Sequence, residues 1–464
     1  MPVISLHDHD APGCGERDAT AAIQAALDAC AAAGGGRVVV PAPGRYLCGS
    51  IFLRSHVELH LEAGATLLAI PDVDRFRVVP TGRFWINAED CVNVAITGLG
   101  TIDGQAVRFM KEERPEGFNS RPGCQRALAF INCHGVRITG ITIRETSDWA
   151  IHPVGCEDVV IDGITIRNNL KVPNCDGIDP DRCRNVRISN CHIESGDDGI
   201  VIKCRKEWDR FSTCERITVT NCTIISTSCG IKIGTETHDD IRDVTISNCV
   251  VYGSNRGLGV CHRDAGTIEN ILFSDIVVET RLFHDKWWGK AEPIYVTALP
   301  RAHGAALGPL RNVRFRNILA RGEKGIYIQG CDQVQPDDLV LQDIRLELAK
   351  TTRWPADRCD PRPCPPDLVP VGGQPIGPIT DWGNLVQRDQ PAIYLERVGR
   401  IRLRDIDIRW QGDLPACYTH ALEAWQVADL DLRDLRGTAA RPGLPALMRD
   451  GRVWPSAEAL PDGG

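Results

Sequence analysis

Residues Asn174 to Lys203 read NCDGIDPDRCRNVRISNCHIESGDDGIVIK. Asp176, Asp179, Asp181, Asp197 and Asp198 crowd into a run that otherwise has the apolar alternation of short β-strands. Carboxylates held close repel one another and shift each other's pKa values. Such a group belongs where it meets water, a cation or a substrate. The rest of the chain shows how these acids come together.

The strand pattern inside this stretch repeats along the chain as Φ-x-Φ-x-x-Φ-x-Φ, with Φ apolar. It appears as Val136/Ile138/Ile141/Ile143, Val159/Ile161/Ile164/Ile166, Val186/Ile188/Cys191/Ile193 and Ile217/Val219/Cys222/Ile224. It continues as Val244/Ile246/Cys249/Val251 and Ile271/Phe273/Ile276/Val278, with later copies from Val313, Leu339, Ile401 and Leu430 and a weaker one at Val94. A period of roughly 22 to 31 residues lies in the solenoid range. One such unit cannot bury its apolar face alone; stacking on its neighbours does so.

A third strand follows in each copy. Aligned, it gives Trp149-Ala-Ile-His152, Asp176-Gly-Ile-Asp179, Asp198-Gly-Ile-Val201, Cys229-Gly-Ile-Lys232 and Arg256-Gly-Leu-Gly259. Glu292-Pro-Ile-Tyr295, Lys324-Gly-Ile-Tyr327, Pro391-Ala-Ile-Tyr394 and His420-Ala-Leu-Glu423 complete the set. Three strands per coil describe an all-β chain, a right-handed parallel β-helix with coils about 4.8 Å apart. The spacing of Ile23, Ala26, Leu27 and Cys30 predicts a helix over 17–33, capped by Asp18 or Thr20 and ended by Gly34-Gly35-Gly36. That helix would close one end of the solenoid. The expected organisation is a single β-helix domain over 1–464. An N-terminal cap covers 1–36, the solenoid 37–437 and a C-terminal cap or tail 438–464. Insertions near 105–126, 281–290 and 351–390 carry no repeat and read as loops. The second and third hold Trp287, Trp288, Trp354 and Trp382, and inserted loops often wall a substrate site.

Stacking puts Trp149, Asp176, Asp198, Cys229, Arg256 and Glu292 in one outward column and His152, Asp179, Val201, Lys232, Gly259 and Tyr295 in another. Asp197 sits at the bend before Asp198. Asp176, Asp197 and Asp198 therefore converge. Glycoside hydrolysis needs that arrangement: one carboxyl protonated to serve the leaving oxygen, another ionised to activate water. A calcium site or a ladder of Asx turns is the structural alternative. His152 in the cleft wall is equally a structural hydrogen-bonding group. Trp149 and Tyr295 offer rings to flat sugar faces.

The chain carries a net charge of −8 and no basic tract, which argues against nucleic acid. No apolar run is long enough to span a membrane, and no secretory signal pattern is seen at MPVISLHDHD. The 20 cysteines, many in an Asn-Cys context beside a strand, read as small buried apolar groups and point to a cytoplasmic setting. Cys359 and Cys364 are spaced so that they could pair.

At Asn174-Cys175-Asp176 with Gly177-Ile178-Asp179, and at Gly196-Asp197-Asp198, the sequence resembles the polygalacturonases of glycoside hydrolase family 28. The resemblance implies a pectin-lyase-like β-helix hydrolase that acts by inversion, with no cofactor or metal and an oligosaccharide as partner. It implies Asp197 as general acid, Asp176 and Asp198 as holders of the attacking water, and Asn174 as their orienting group. Two motifs depart. The family's Gly-His-Gly stands here as Ser228-Cys229-Gly230, and its Arg-Ile-Lys as Gly259-Val260-Cys261. Lys203, Cys229, Lys232, Arg256 and Tyr295 are then candidates at the substrate, Lys232 and Arg256 in place of the missing cations. The expected activity is exo-acting hydrolysis of pectic or related acidic oligosaccharides. A neutral rhamnosyl or galactosyl substrate, a polysaccharide lyase and a non-catalytic carbohydrate-binding solenoid are the alternatives. The oligomeric state is not legible.

Overall fold

The computed structural model describes residues 2–115, 117–120, 124–380 and 383–454. The helix runs Thr20–Ala32, starting later than the periodicity predicts. The reason is that Cys14–Asp18 pairs as a strand with Gly44–Cys48. Asp18 still serves the helix, accepting from the Thr20 N–H at 2.8 Å. Ile23, Ala26, Leu27 and Cys30 are the buried face, as their spacing requires. Gly35 ends the helix at φ 97°, and a Cβ there would lie 2.5 Å from the His56 carbonyl oxygen. Only glycine fits that position.

The fold is mostly strand, a parallel β-helix, and its packing divides it into two compact units, Met1–Thr223 and Ile224–Gly464. In the first unit Val94, Val136, Val159, Val186 and Ile217 stack in register on one ladder. Ile102, Ile143, Ile166 and Ile193 stack on the second. Ile86, Leu128, Ile151, Ile178 and Ile200 stack on the third. All of these side chains are buried, so the core is a set of aliphatic columns. Corners between strands fall at residues with positive φ, among them Asn132, Asn185, Asn190 and Asn221. Asn tolerates the left-handed region better than most side chains.

In the second unit Val244, Ile271, Val313, Leu339, Ile401 and Leu430 continue the same kind of ladder. Its third ladder runs through Ile231, Leu258 and Ile294, and through Ile326, Ile393 and Leu422. Two of the three insertions have strands of their own. Met110–Arg114 pairs antiparallel with Gly117–Ser120. Arg358–Cys359, Gln374–Thr380 and Gly383–Gln387 form a small antiparallel sheet within 351–390. The C-terminal segment adds Leu447–Arg449 to the parallel ladder and folds Arg452–Val453 back on it. Trp382 and the last ten residues of the tail lie outside the described residues. Cys359 and Cys364 are separate, buried thiols. Among the described residues no helix is long and apolar enough to cross a membrane.

Candidate active site

The coil from Asn174 to Asp181 is not a continuous strand, but it is tied to both neighbours by bridges at Ile178 and Asp181 and by further backbone hydrogen bonds, such as Asp179 N–H to the Ile151 carbonyl at 2.8 Å. The Gly177 N–H still donates to the Asp198 carbonyl at 3.0 Å, which fixes Asp176 beside Asp198. Carboxylate oxygens of Asp176, Asp197 and Asp198 all lie within 4.8 Å of one another. The expected convergence is present, and the acids are nearly buried: Asp176 and Asp198 are 2% exposed and Asp197 7%.

The bend holding Asp197 is built from small groups. Its Oδ1 accepts from the Asp198 N–H at 3.0 Å and its Oδ2 from the Asn174 N–H at 3.3 Å. Asn174 thus meets the acid through its backbone, which its φ of 55° turns toward Asp197. Ser195 Oγ accepts from the Asp197 N–H at 3.2 Å and lies 2.7 Å from the Cys175 carbonyl. Asn168 holds the same carbonyl through Nδ2 at 3.0 Å. Ser195 and Asn168 were not singled out from sequence. The signal for Ser195 is a small hydroxyl directly before Gly-Asp-Asp at a bend; Asn168 has none. Gly196 packs so closely that a Cβ would sit 2.3 Å from the Val172 carbonyl oxygen.

His152 and Asp179 occupy the register expected, but neither faces open solvent; both are 0% exposed. Arg126 covers them. Its guanidinium donates to His152 Nδ1 at 2.8 Å, so the ring's Nε2–H donates to Asp181 Oδ2 at 3.3 Å. Burial, with Arg126, Arg205 and Lys203 nearby, holds the His152 pKa well below the usual value, and the ring is neutral. Burial raises Asp181 to about 6, against the pull of the Arg205 N–H and charge. Lys203 Nζ lies 3.4 Å from Asp176 Oδ2 and 3.1 Å from Asp179 Oδ1. Trp149 is closed to sugars: the Arg126 guanidinium carbon and Lys203 Nζ lie 3.8 and 3.7 Å from its ring centroid.

In the second unit Cys229, Lys232 and Arg256 converge on Gly259. A Cβ on that glycine would meet Cys229 Sγ at 2.9 Å, Lys232 Cγ at 3.4 Å and Arg256 Cδ at 3.8 Å. Arg256 does not present a bare charge. Its Nε lies 3.2 Å from Glu292 Oε2 and its guanidinium 3.5 Å from the Tyr295 ring centroid. Tyr295 is covered on its other side by Tyr327, centroids 5.5 Å apart, and its hydroxyl donates to the Asp360 carbonyl at 2.8 Å. The insertions supply this cover. Arg358 pairs with Asp285 at 3.0 Å, the Gly289 N–H donates to Asp360 Oδ2 at 2.9 Å, and Arg362 stacks on Trp288 at 4.7 Å. Asp360 and Arg362 give no sequence signal, since nothing periodic marks them.

Among the described residues, Asp176, Asp197 and Asp198 are the group of acids spaced to hold a cation. The Lys203 ammonium already stands against one of them.

Three carboxylates brought together on adjacent coils of a parallel β-helix are the arrangement that an acid–base hydrolase requires. The family model for glycosyl hydrolases family 28 matches residues 30–357, and the chain belongs to that family of glycoside hydrolases. It is 32% identical over 280 residues to the Vitis vinifera protein named "Probable polygalacturonase", covering 55% of this chain and 56% of that one. It is 23% identical over 362 residues to the endo-polygalacturonase of Pectobacterium carotovorum subsp. carotovorum, covering 71% of this chain and 84% of the relative. The crystal structure of a hyperthermoactive exopolygalacturonase from Thermotoga maritima superposes with a TM-score of 0.65 at 26% identity. That match covers 88% of this chain and 92% of the other.

Proposed function

We propose that this protein hydrolyses glycosidic bonds of galacturonate-containing pectic oligosaccharides, with inversion, and from chain ends. The observation that carries the reading is the approach of three carboxylates to within 4.8 Å at the family's two acid motifs. Asp197, at the bend and the most exposed of the three, donates the proton to the leaving oxygen. Asp176 and Asp198 hold and deprotonate the attacking water. Acid and base in inverting enzymes commonly stand about 6.5–9.5 Å apart to admit water between them. Here the nearest oxygens are closer.

Lys232 and Arg256, gathered with Cys229 around Gly259, are the candidate cations for a uronate carboxylate, Arg256 being ion-paired with Glu292. End-on action is supported by the likeness to the Thermotoga maritima exopolygalacturonase over nearly all of both chains. The separate thiols of Cys359 and Cys364 support a reducing, cytoplasmic setting, where short imported oligomers are the available substrate.

The test is product analysis on oligogalacturonides and neutral pectic oligosaccharides, with the Asp197→Asn variant beside the wild type. The expected products are saturated, released one end unit at a time, and of inverted anomeric configuration by nuclear magnetic resonance. Asp197→Asn is expected to lose on the order of 10³-fold in kcat while keeping its unfolding temperature. An ultraviolet-absorbing unsaturated product, or cleavage confined to neutral sugars, overturns the reading.

A further inference from the structure

Asp176 has a physical problem to solve if it is to serve as a base. It is 2% exposed and its carboxylate lies within 4.8 Å of two others. Burial and like charges each favour the protonated form. A protonated Asp176 would be a second acid, not a base.

The cation against it is Lys203, from the next coil, at 3.4 Å. The ammonium is held from three sides. Asp179 Oδ1 lies 3.1 Å away, the Trp149 ring centroid 3.7 Å, and the side chain is 5% exposed. The Arg126 guanidinium also lies against the indole, 3.8 Å from the centroid, and that of Arg205 lies 5.2 Å from it. Behind these groups His152 is neutral and hydrogen-bonded to Asp181. The charged and titratable groups around the ammonium include Asp176, Asp179, Asp181, Arg126, Arg205 and His152, with Asp197 and Asp198 beside Asp176.

We propose that Lys203 is a positioning residue for the hydrolytic reaction. Its buried ammonium, fixed by Asp179 and the indole of Trp149, keeps Asp176 ionised beside Asp197 and Asp198. The inference rests on the hydrolase reading above and assigns Lys203 to the acids rather than to the sugar. Asp179 completes the device. Burial and the Asp176 charge drive its proton affinity up, against the pull of Lys203.

The sign is fixed by charge. A cation lowers a neighbouring carboxylate's pKa, so its removal raises the pKa of Asp176 and moves the acid limb of activity to higher pH. The experiment is a carboxyl ¹³C titration of aspartate-labelled protein for the wild type, Lys203→Met, Lys203→Arg and Asp179→Asn. Asp176 is assigned by the signal lost in Asp176→Asn. The kcat/KM pH profile is recorded alongside, on the oligosaccharide the wild type cleaves best. Lys203→Met is expected to raise the Asp176 midpoint by about one to three units, with the acid limb following. Lys203→Arg keeps the midpoint near the wild-type value, and Asp179→Asn reports how much Asp179 contributes to fixing the ammonium.

An unmoved midpoint in folded Lys203→Met overturns the proposal. So does a shift of about a unit or more in Lys203→Arg, which is the deciding variant if the methionine protein does not fold. The two readings fail separately. A wild type that cleaves no glycoside ends the hydrolase reading and leaves the titration to speak for itself. A flat titration in an active enzyme ends only the role of Lys203.

Discussion

Asp181 shows what burial does to a single acid. It is 0% exposed, with the neutral His152 ring at 3.3 Å and the Arg205 N–H at 2.9 Å. Its pKa in the folded protein is pushed up to about 6, above the ordinary aspartate value of about 3.9. The native state therefore binds this proton more tightly than the unfolded chain between about pH 4 and pH 6. Stability from Asp181 is greatest below that window and falls as pH rises through it. Above it the cost is constant, a few kcal/mol at about 1.4 per unit. Urea unfolding of Asp181→Asn against the wild type measures the difference. The variant is expected to lose less stability between pH 4 and pH 7, and equal slopes would contradict the assignment. The pairing of Asp181 with His152 was not legible. Sequence aligned His152 with Asp179, its register neighbour, whereas the contact runs diagonally to Asp181.

Among elements, the third ladder of the second unit carries a stack of rings. Tyr295, Tyr327 and Tyr394 are register partners with centroids 5.5 and 5.2 Å apart. The Tyr327 hydroxyl donates to Gln329 Oε1 at 2.7 Å. Removing the central ring in Tyr327→Ala is expected to cost about 3–5 kcal/mol. Tyr327→Phe, which loses only the hydrogen bond, costs about 1 kcal/mol. Denaturant titration separates the two, and equal losses would place the stabilisation in the hydroxyl. This column was legible in advance, because each tyrosine sits at the same place in its Φ-x pattern. What covers it was not. Cys359 and Val386 pack on the rings from the 351–390 insertion, and the Asp360 carbonyl caps Tyr295 across 65 residues. No periodicity marks a contact of that span.

For the whole molecule, the cysteines report the core. Seventeen are buried, Cys124 and Cys417 are intermediate, and Cys14 is exposed. Ellman's reagent on the native protein is expected to label Cys14 at once and Cys124 and Cys417 slowly. The remainder should react only on unfolding, and rapid labelling of many more would show the columns to be open. The apolar repeat by itself determined the coil architecture, the register of the ladders and the meeting of Asp176, Asp197 and Asp198. It did so because a solenoid residue's neighbours lie one period away, and a period is written in the chain. Only the tertiary structure decided which of the stacked side chains reach solvent and which cations they meet. Arg126 over His152, Lys203 on Asp176 and Glu292 on Arg256 depend on side-chain reach and on insertions folding back, and neither is carried by a repeat.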